Sequence, residues 1–169
     1  LTLTHLMLYD VAGQKSKIIK TGVNSQLSWS PDGGKILYSR IERGKHGSHY
    51  QDLYVYDLAE KKEKRLTKNL RAFDPDWSPA GDRIICVTQK DGTDNLTLVM
   101  HDGSSRPLTR FDQGESLSSP RWSPDGRTIV LSKGRNHGRD LLLYHPDDDA
   151  WTTLINGEGD ARDPVFSPD

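Results

Sequence analysis

The stretch closest to a catalytic motif is Gly114-Glu115-Ser116-Leu117-Ser118. A serine between two glycines at this spacing forms the sharp strand-to-helix turn that exposes the nucleophile of α/β-hydrolases. Ser118 stands where that turn requires its second glycine, and no helical periodicity follows. The sequence therefore predicts a loop between two strands, and we assign no catalytic residue.

Two segments contain residue types that bind metals. His46 and His49 precede Asp52 in ERGKHGSHYQD, and the range Asp147–Asp149 is an acidic triplet. Two histidines from one polar, glycine-flanked loop do not make the closed shell of structural zinc. Three consecutive aspartates lack the alternating spacing of a calcium loop. We therefore interpret both segments as loops and assign no metal and no cofactor, although the first is the longest insertion and could contact a partner.

The elements that position these side chains belong to a sequence repeat. The anchors Trp29, Trp77, Trp122 and Phe166 open WSPDG, WSPAG, WSPDG and FSPD, at separations of 48, 45 and 44 residues. This period is typical of β-propeller blades with four strands. A β-branched, apolar run follows each complete turn (ILYS, IICV, IVLS), and a second follows later (DLYVYDL, NLTLVMHDG, DLLLYHPDD), with HLMLYDVAG as a further copy near the start. Helical periodicity is absent, so we predict an all-β fold.

A last short strand should close each unit. We expect these strands to be centred on Ile19, Leu66, Leu108 and Leu154. A polar linker then leads to the next aromatic anchor, so each unit reads as an antiparallel meander of four strands.

The recurring tetrapeptide has the composition of a type I turn. Serine at the first position, proline at the second and glycine at the fourth each match the backbone angles required there. Ala80 replaces aspartate in the second copy, which a turn tolerates and a metal site would not. Each aromatic anchor should pack beneath its turn, between neighbouring sheets. The residues assigned to this structural turn are Trp29, Pro31, Asp32, Gly33, Trp77, Pro79, Gly81, Trp122, Pro124, Asp125, Gly126, Phe166 and Pro168.

Composition excludes several classes of partner. The 169 residues carry 23 basic and 24 acidic side chains, so no net positive field exists to collect nucleic acid. No run of eighteen apolar residues exists, so no membrane span is expected. The one cysteine, Cys86, lies in the apolar run RIICVT and should pack as a small hydrophobic residue.

The segments QDLYVYDLAEKKEKRLT and GTDNLTLVMHDGSSRPLT resemble the TolB-like propeller repeat. The resemblance covers the whole chain and implies a propeller, with a periplasmic or otherwise extracytoplasmic location. Similar repeats occur in tricorn-type proteases and in propellers attached to prolyl-oligopeptidase-like hydrolases. Such propellers generally have six or seven blades, so we expect a fragment: the end of a blade at 1–22, blades at 23–69, 70–113 and 114–158, and the start of another at 159–169.

Charged residues just before and within the first strand of each unit are the binding candidates, because that strand lines the central channel of a closed propeller. They are Arg71, Asp74, Asp76, Arg121, Arg162 and Asp163. The same residues could instead bridge one another or stay solvated. We predict a non-catalytic binding or scaffold module of a TolB-like propeller whose partner is a protein or peptide, with self-association through open blade edges. The alternatives are a gating propeller of a serine peptidase, with its catalytic residues elsewhere, and a sugar-binding propeller.

Overall fold

The computed structural model describes residues 4–23, 25–43, 49–135, 138–156 and 159–168. In these ranges the regular structure is entirely β. The strands are β1 (His5–Asp10), β2 (Lys15–Thr21), β3 (Ser28–Trp29), β4 (Lys35–Arg43), β5 (His49–Asp57), β6 (Lys62–Arg65), β7 (Ala72–Trp77), β8 (Arg83–Lys90), β9 (Thr93–Met100), β10 (Ser105–Pro107), β11 (Leu117–Trp122), β12 (Ile129–Arg135), β13 (Gly138–His145), β14 (Ala150–Ile155) and β15 (Gly159–Asp160). The described part of the chain holds no helix that could cross a membrane.

The strands form four sheets in chain order. Sheet I is the pair β1–β2, sheet II has the order β3-β4-β5-β6, and sheet III has β7-β8-β9-β10. Sheet IV has β11-β12-β13-β14, and β15 adds to β13 in parallel. Every other pairing is antiparallel between strands that are consecutive in the chain. The predicted all-β propeller fragment is therefore confirmed.

The tetrapeptide turns join the first and second strands of sheets II, III and IV. The amides of Gly33, Gly81 and Gly126 donate to the carbonyl of the serine three residues earlier, at 2.8, 2.8 and 2.9 Å. All three glycines have positive φ, between 69° and 72°, which glycine adopts without strain. The serine hydroxyl reinforces the turn, since Ser30 Oγ donates to Asp32 and accepts from the Lys35 amide at 2.9 Å.

The second turn uses a different aspartate. The side chain of Ala80 cannot accept a hydrogen bond from Ser78. The Ser78 hydroxyl donates instead to Asp82, two residues after Ala80, at 2.7 Å. The backbone bond from Gly81 to Ser78 is unchanged. The turn therefore keeps its shape without the aspartate, because a neighbouring carboxylate performs the same local role.

Apolar cores lie between successive sheets. Ile84 and Cys86 of β8 pack with Leu37 and Leu53 of sheet II, and Ile85 of the same strand packs toward sheet IV. Because sheet III is covered on both faces, β8 is a continuous apolar run. Cys86 lies fully buried in this core as predicted, and burial raises the pKa of its thiol far above the ordinary value.

The aromatic anchors do not share one environment. Trp77 and Trp122 are buried between sheets, whereas Trp29 is 51% exposed. The expectation that Trp29 packs beneath its turn is therefore wrong. Sheet I consists of β1 and β2, so among the described residues it offers no inner strand to cover this indole.

The closing strands of sheets II and III end earlier than expected. β6 ends at Arg65 and β10 at Pro107, so Leu66 and Leu108 follow their strands instead of centring them. At each site two successive amides share one carbonyl, with Leu66 and Thr67 both donating to Leu53. This shared bond turns the chain out of the sheet and toward the next inner strand.

Candidate functional site

A backbone bulge shapes the inner strand of sheets III and IV. The pairing of β7 with β8 shifts register between Phe73 and Asp76, and that of β11 with β12 shifts between Ser118 and Arg121. Inside these bulges Asp74 and Ser119 have φ of 47° and 54°. Bulges re-aim side chains and are frequent beside functional sites.

The two bulged residues occupy one position of the repeat, which Asp163 and Gln26 share. Asp74, Ser119 and Asp163 each lie three residues before an aromatic anchor, and Asp163 also has positive φ, 50°. Gln26 holds the same position in the first unit. The repeat therefore presents one side chain from each unit at the inner edge of the sheets.

These four side chains meet, and we call them the central cluster. Gln26 Nε2 donates to Ser119 Oγ at 2.6 Å and to Asp163 Oδ1 at 2.7 Å. Ser119 Oγ donates to the same Asp163 oxygen at 2.7 Å, and its amide donates to Asp74 Oδ2 at 3.1 Å. Residues as far apart as 26 and 163 in the chain thus share one hydrogen-bond network.

A second layer lies one residue before the anchors. Asp76 accepts from Ser28 Oγ at 2.9 Å, from Arg121 at 3.2 Å and from the Trp122 amide at 2.9 Å. Arg121 also donates to Gln26 Oε1 at 2.6 Å. Asp76 and Arg121 therefore tie sheets II, III and IV together, and their charges are largely used within the protein.

Burial dominates the electrostatics of the two carboxyls of β7. Desolvation raises the pKa of Asp74 above the ordinary value, and the nearby negative charge of Asp163 adds to this, while the Ser119 amide and Arg121 oppose it. Desolvation also raises the pKa of Asp76, against the opposing effects of the Trp122 amide and Arg121.

The central cluster opens into a depression of about 560 Å³. Asp74, Ser119 and Asp163 line it, together with Val23 and the rim residue Arg162. Among the described residues, Oδ1 of Asp74 and Oδ2 of Asp163 accept no hydrogen bond. The depression therefore offers free carboxylate oxygens to an incoming group.

The six residues expected at the channel divide into three environments. Asp74, Asp76, Arg121 and Asp163 meet at the inner strands. Arg162 lies at the rim, 62% exposed, with its guanidinium 2.6 Å from Asp160. Arg71 lines a separate pocket.

Sequence reasoning missed Gln26, Ser28 and Ser119. All three are uncharged, whereas the predicted binding residues were the charged residues just before and within the inner strands. Their fixed distance from the aromatic anchors, three residues or one residue, was the signal that could have identified them.

A known protein family matches almost the whole chain. The family model described as the TolB beta propeller domain matches residues 3–169. The chain belongs to this TolB propeller family. A curated relative, the Tol-Pal system protein TolB of Francisella tularensis, is 28% identical over 156 residues, which cover 87% of the chain and 34% of the relative. The chain thus spans about a third of the length of this relative.

Solved structures agree on the TolB-type fold. The crystal structure of TolB from Acinetobacter baumannii superposes with a TM-score of 0.73 at 22% identity, covering 89% of this chain and 37% of that one. The tricorn protease superposes with a TM-score of 0.65 at 14% identity, covering 88% and 20%. At these identities the likeness shows the fold alone.

The other candidates of this TolB-family chain have structural partners. Asp52 is buried, bonded to Thr67 Oγ1 at 2.8 Å and to the Asn69 amide at 2.8 Å, and paired with Arg65 at 2.7 Å, so it caps the loop after β6. His46 lies outside the described residues, and His49 is exposed at the start of β5. In the described ranges, no three His, Cys, Asp or Glu side chains are grouped to hold a metal.

The acidic triplet and the serine motif also lie in structural positions. Asp149 Oδ1 accepts a hydrogen bond from the Tyr144 hydroxyl at 3.0 Å. Burial is the main cause that raises the pKa of Tyr144 to about 12, and the bond to Asp149 is the second. The Ser116 carbonyl accepts from the Gly134 amide at 2.7 Å, and its hydroxyl accepts from Arg139 at 3.2 Å. Ser118 belongs to β11, so no helix follows this serine motif.

Proposed function

We propose that the chain is a non-catalytic module that binds a protein or peptide by receiving a basic group at the central cluster. One observation carries this proposal: Asp74 and Asp163, from separate repeat units, flank Ser119 and each keep one carboxylate oxygen free in the depression. A lysine or arginine side chain, or an amino terminus, would form charge-assisted hydrogen bonds to both.

The surrounding charges favour a cation. Arg121 directs its guanidinium to Asp76 and Gln26, and Arg162 is paired with Asp160. Asp74 and Asp163 therefore face the depression without a full counter-charge among the described residues. Burial raises the pKa of Asp74, and a bound cation would oppose this effect by stabilising the charged carboxylate.

The shape of the site suits a partner that docks without reacting. The four cluster residues are held by hydrogen bonds between units, so the site is organised before binding, which lowers the cost of ordering it. A protein partner also agrees with the family, since the Francisella relative carries the name of the Tol-Pal system. We also infer an extracytoplasmic location from family membership.

Gating of a peptidase is the second candidate. The fold likeness to the tricorn protease favours it, because that protein contains a similar propeller. In this case the depression would admit peptides toward a catalytic domain that is separate from these residues. A hydrolase domain in the same gene would support this alternative.

Peptide arrays test the proposed function. The strongest short binders should contain lysine or arginine, and acetylation of the lysine should weaken binding about tenfold, because the charge is lost. The double variant Asp74→Asn/Asp163→Asn should weaken the unmodified peptide to a similar degree. The double variant Asp147→Asn/Asp148→Asn makes the same charge change in the exposed turn between β13 and β14, and as the matched control it should leave binding unchanged.

Two results would contradict the proposal. One is an array on which the folded protein retains no peptide. The other is a binder whose affinity is unaffected by acetylation and by the double variant.

A further inference from the structure

A second cavity, which we call the Arg71 pocket, lies beside the central depression. It measures about 340 Å³ and is formed by the ends of β4 and β5 together with the segment that enters β7. Arg71 precedes Asp74 by three residues, so the pocket and the depression open at the same end of sheet III. The lining residues are Ile41, His49, Tyr50, Gln51, Arg71, Phe73 and Gln89.

Much of the polar lining is already engaged within the protein. Tyr50 donates its hydroxyl proton to Asn69 at 2.7 Å, and Gln51 Oε1 accepts from Ser39 at 2.6 Å. Gln89 Nε2 donates to Asp94 at 3.0 Å. The lining is thus about equally polar and apolar: Ile41 and Phe73 supply apolar surface, and three of the polar side chains already have partners within the protein, which leaves few groups to bind the many hydroxyls of a sugar.

Arg71 carries the permanent charge among the described lining residues. Its guanidinium has no hydrogen bond or ion pair with any residue in the described ranges, whereas Arg40 pairs with Glu63 at 3.0 Å and Arg65 with Asp52 at 2.7 Å. Among the lining residues that the structure describes, none is a carboxylate. Within the described residues, the cavity thus combines the apolar surface of Ile41 and Phe73 with a guanidinium that no carboxylate neutralises.

We propose that the Arg71 pocket binds the carboxyl-terminal residue of a peptide whose last side chain is apolar. Such a residue carries an apolar group and a carboxylate on one Cα, and the pocket has both apolar surface and a guanidinium in its lining. Arginine binds carboxylates through two parallel hydrogen bonds, which gives the contact direction as well as strength.

This inference rests on the proposed function and refines it. The central depression is acidic and the neighbouring pocket is basic, so the two sites select opposite charges. A peptide that ends in an apolar residue and carries a basic group a short distance before its end would satisfy both sites.

The test compares two forms of one probe. A fluorescent peptide of glycine and serine that ends in phenylalanine is prepared as the free acid and as the terminal amide, and its binding is followed by anisotropy. The free acid should bind about tenfold more tightly than the amide, because the amide cannot form the charge-assisted pair with Arg71. The same probe ending in serine should bind about tenfold more weakly than the one ending in phenylalanine, because it leaves the apolar walls uncovered.

Variants assign the effect to the pocket. Arg71→Gln should abolish the preference for the free acid, and since Arg71 is exposed the variant should fold normally, as checked by thermal unfolding. Arg127→Gln is the control: it removes the same charge from an exposed arginine in the turn between β11 and β12, and it should keep the preference for the free acid. Equal binding of acid and amide, or a preference that survives in Arg71→Gln, would overturn the inference.

Tighter binding of uronic acid oligomers than of the free-acid peptide would also overturn it, in favour of a sugar.

The inference and the proposed function fail separately. The probe has no basic group, so its binding does not depend on the central cluster. If array peptides require Asp74 and Asp163 while Arg71→Gln has no effect, the pocket is wrong and the proposed function stands. If the probe requires Arg71 while the Asp74→Asn/Asp163→Asn variant binds every array peptide normally, the pocket stands and the central site is wrong.

Discussion

At the scale of single residues, position in the repeat matters more than charge. Asp76 and Asp74 are two residues apart in β7, yet Asp76 holds three groups from other segments and Asp74 holds one. The bulge between them explains the difference, because it turns Asp74 toward the depression while Asp76 stays between the sheets. A binding role for Asp74 and a structural role for Asp76 follow from this geometry.

The variant Asp76→Ala should destabilise the fold strongly. It leaves the Trp122 amide and Arg121 without their buried acceptor, at a cost of about 3 kcal/mol. Urea unfolding measures this loss. Asp112→Ala, at an exposed loop position, should change the free energy of unfolding by less than about 0.5 kcal/mol. A loss for Asp76→Ala as small as that of Asp112→Ala would show that the second layer does not hold the sheets.

The variant Asp74→Asn should change the pH dependence of stability. A carboxyl with a raised pKa binds its proton more tightly in the folded state, so it destabilises the fold increasingly as the pH rises from the ordinary pKa of 3.8 through the raised value. Asparagine removes this effect and can still accept the hydrogen bond from the Ser119 amide. The melting temperature of Asp74→Asn relative to the parent should therefore rise between about pH 4 and pH 7. A difference that stays constant, or falls, over this range would contradict the assignment.

At the scale of elements, turns also set how closely sheets approach. Gly103 and Gly92 both lie in turns with positive φ, 87° and 81°. A Cβ at Gly103 would collide with the backbone carbonyl of Leu66, which directly follows β6 of sheet II, whereas a Cβ at Gly92 would meet nothing within 4 Å. The turn between β9 and β10 thus requires glycine both for its backbone angles and for contact with the neighbouring sheet.

Alanine substitutions separate these two requirements. Gly92→Ala should cost about 1 kcal/mol, because alanine is strained at positive φ. Gly103→Ala should cost at least about 2 kcal/mol, since the clash with an immobile carbonyl is added to the same strain. Chemical denaturation compares the two. Equal losses would mean that the sheets can move apart at this point without cost.

At the scale of the whole molecule, the sheets stack like repeats in which each contacts its neighbours. Sheets III and IV pack against each other, and Arg83 of sheet III contributes to this contact, since its guanidinium carbon lies 4.9 Å from the ring centre of Trp122 in sheet IV. The other end of the stack differs, since sheet I has two strands and leaves Met7, Tyr9 and Trp29 more than half exposed. Exposed strand edges with apolar side chains favour pairing with another chain.

The 169-residue chain should therefore self-associate as its concentration rises. Sedimentation velocity would follow the weight-average mass, and the double variant Met7→Lys/Tyr9→Lys should shift association to higher concentration, because charges on an edge strand oppose pairing. Lys17→Arg on the neighbouring strand β2 is a control that keeps the charge. A parent chain that remains monomeric at high concentration would refute the prediction.

The sequence determined the local structure of this protein. The turn at residues 30–33 needs serine, proline and glycine at fixed positions, and the run IICV needs β-branched and apolar neighbours. These preferences act within a few residues, so the repeat, the strands and the family resemblance were visible without coordinates. The hydrogen bond from Ser78 to Asp82, which replaces the bond that an aspartate at position 80 would accept, also forms within a few residues.

The tertiary structure decided which residues meet. Gln26 and Asp163 are 137 positions apart, and their contact depends on how the sheets pack against one another and on bulges that have no signature in composition. Exposure of Trp29 depended on how many strands lie beside it, although its motif is identical to that of Trp122. Local rules therefore fixed each blade, while the site and the Arg71 pocket arose from distances between blades, which no short stretch of sequence encodes.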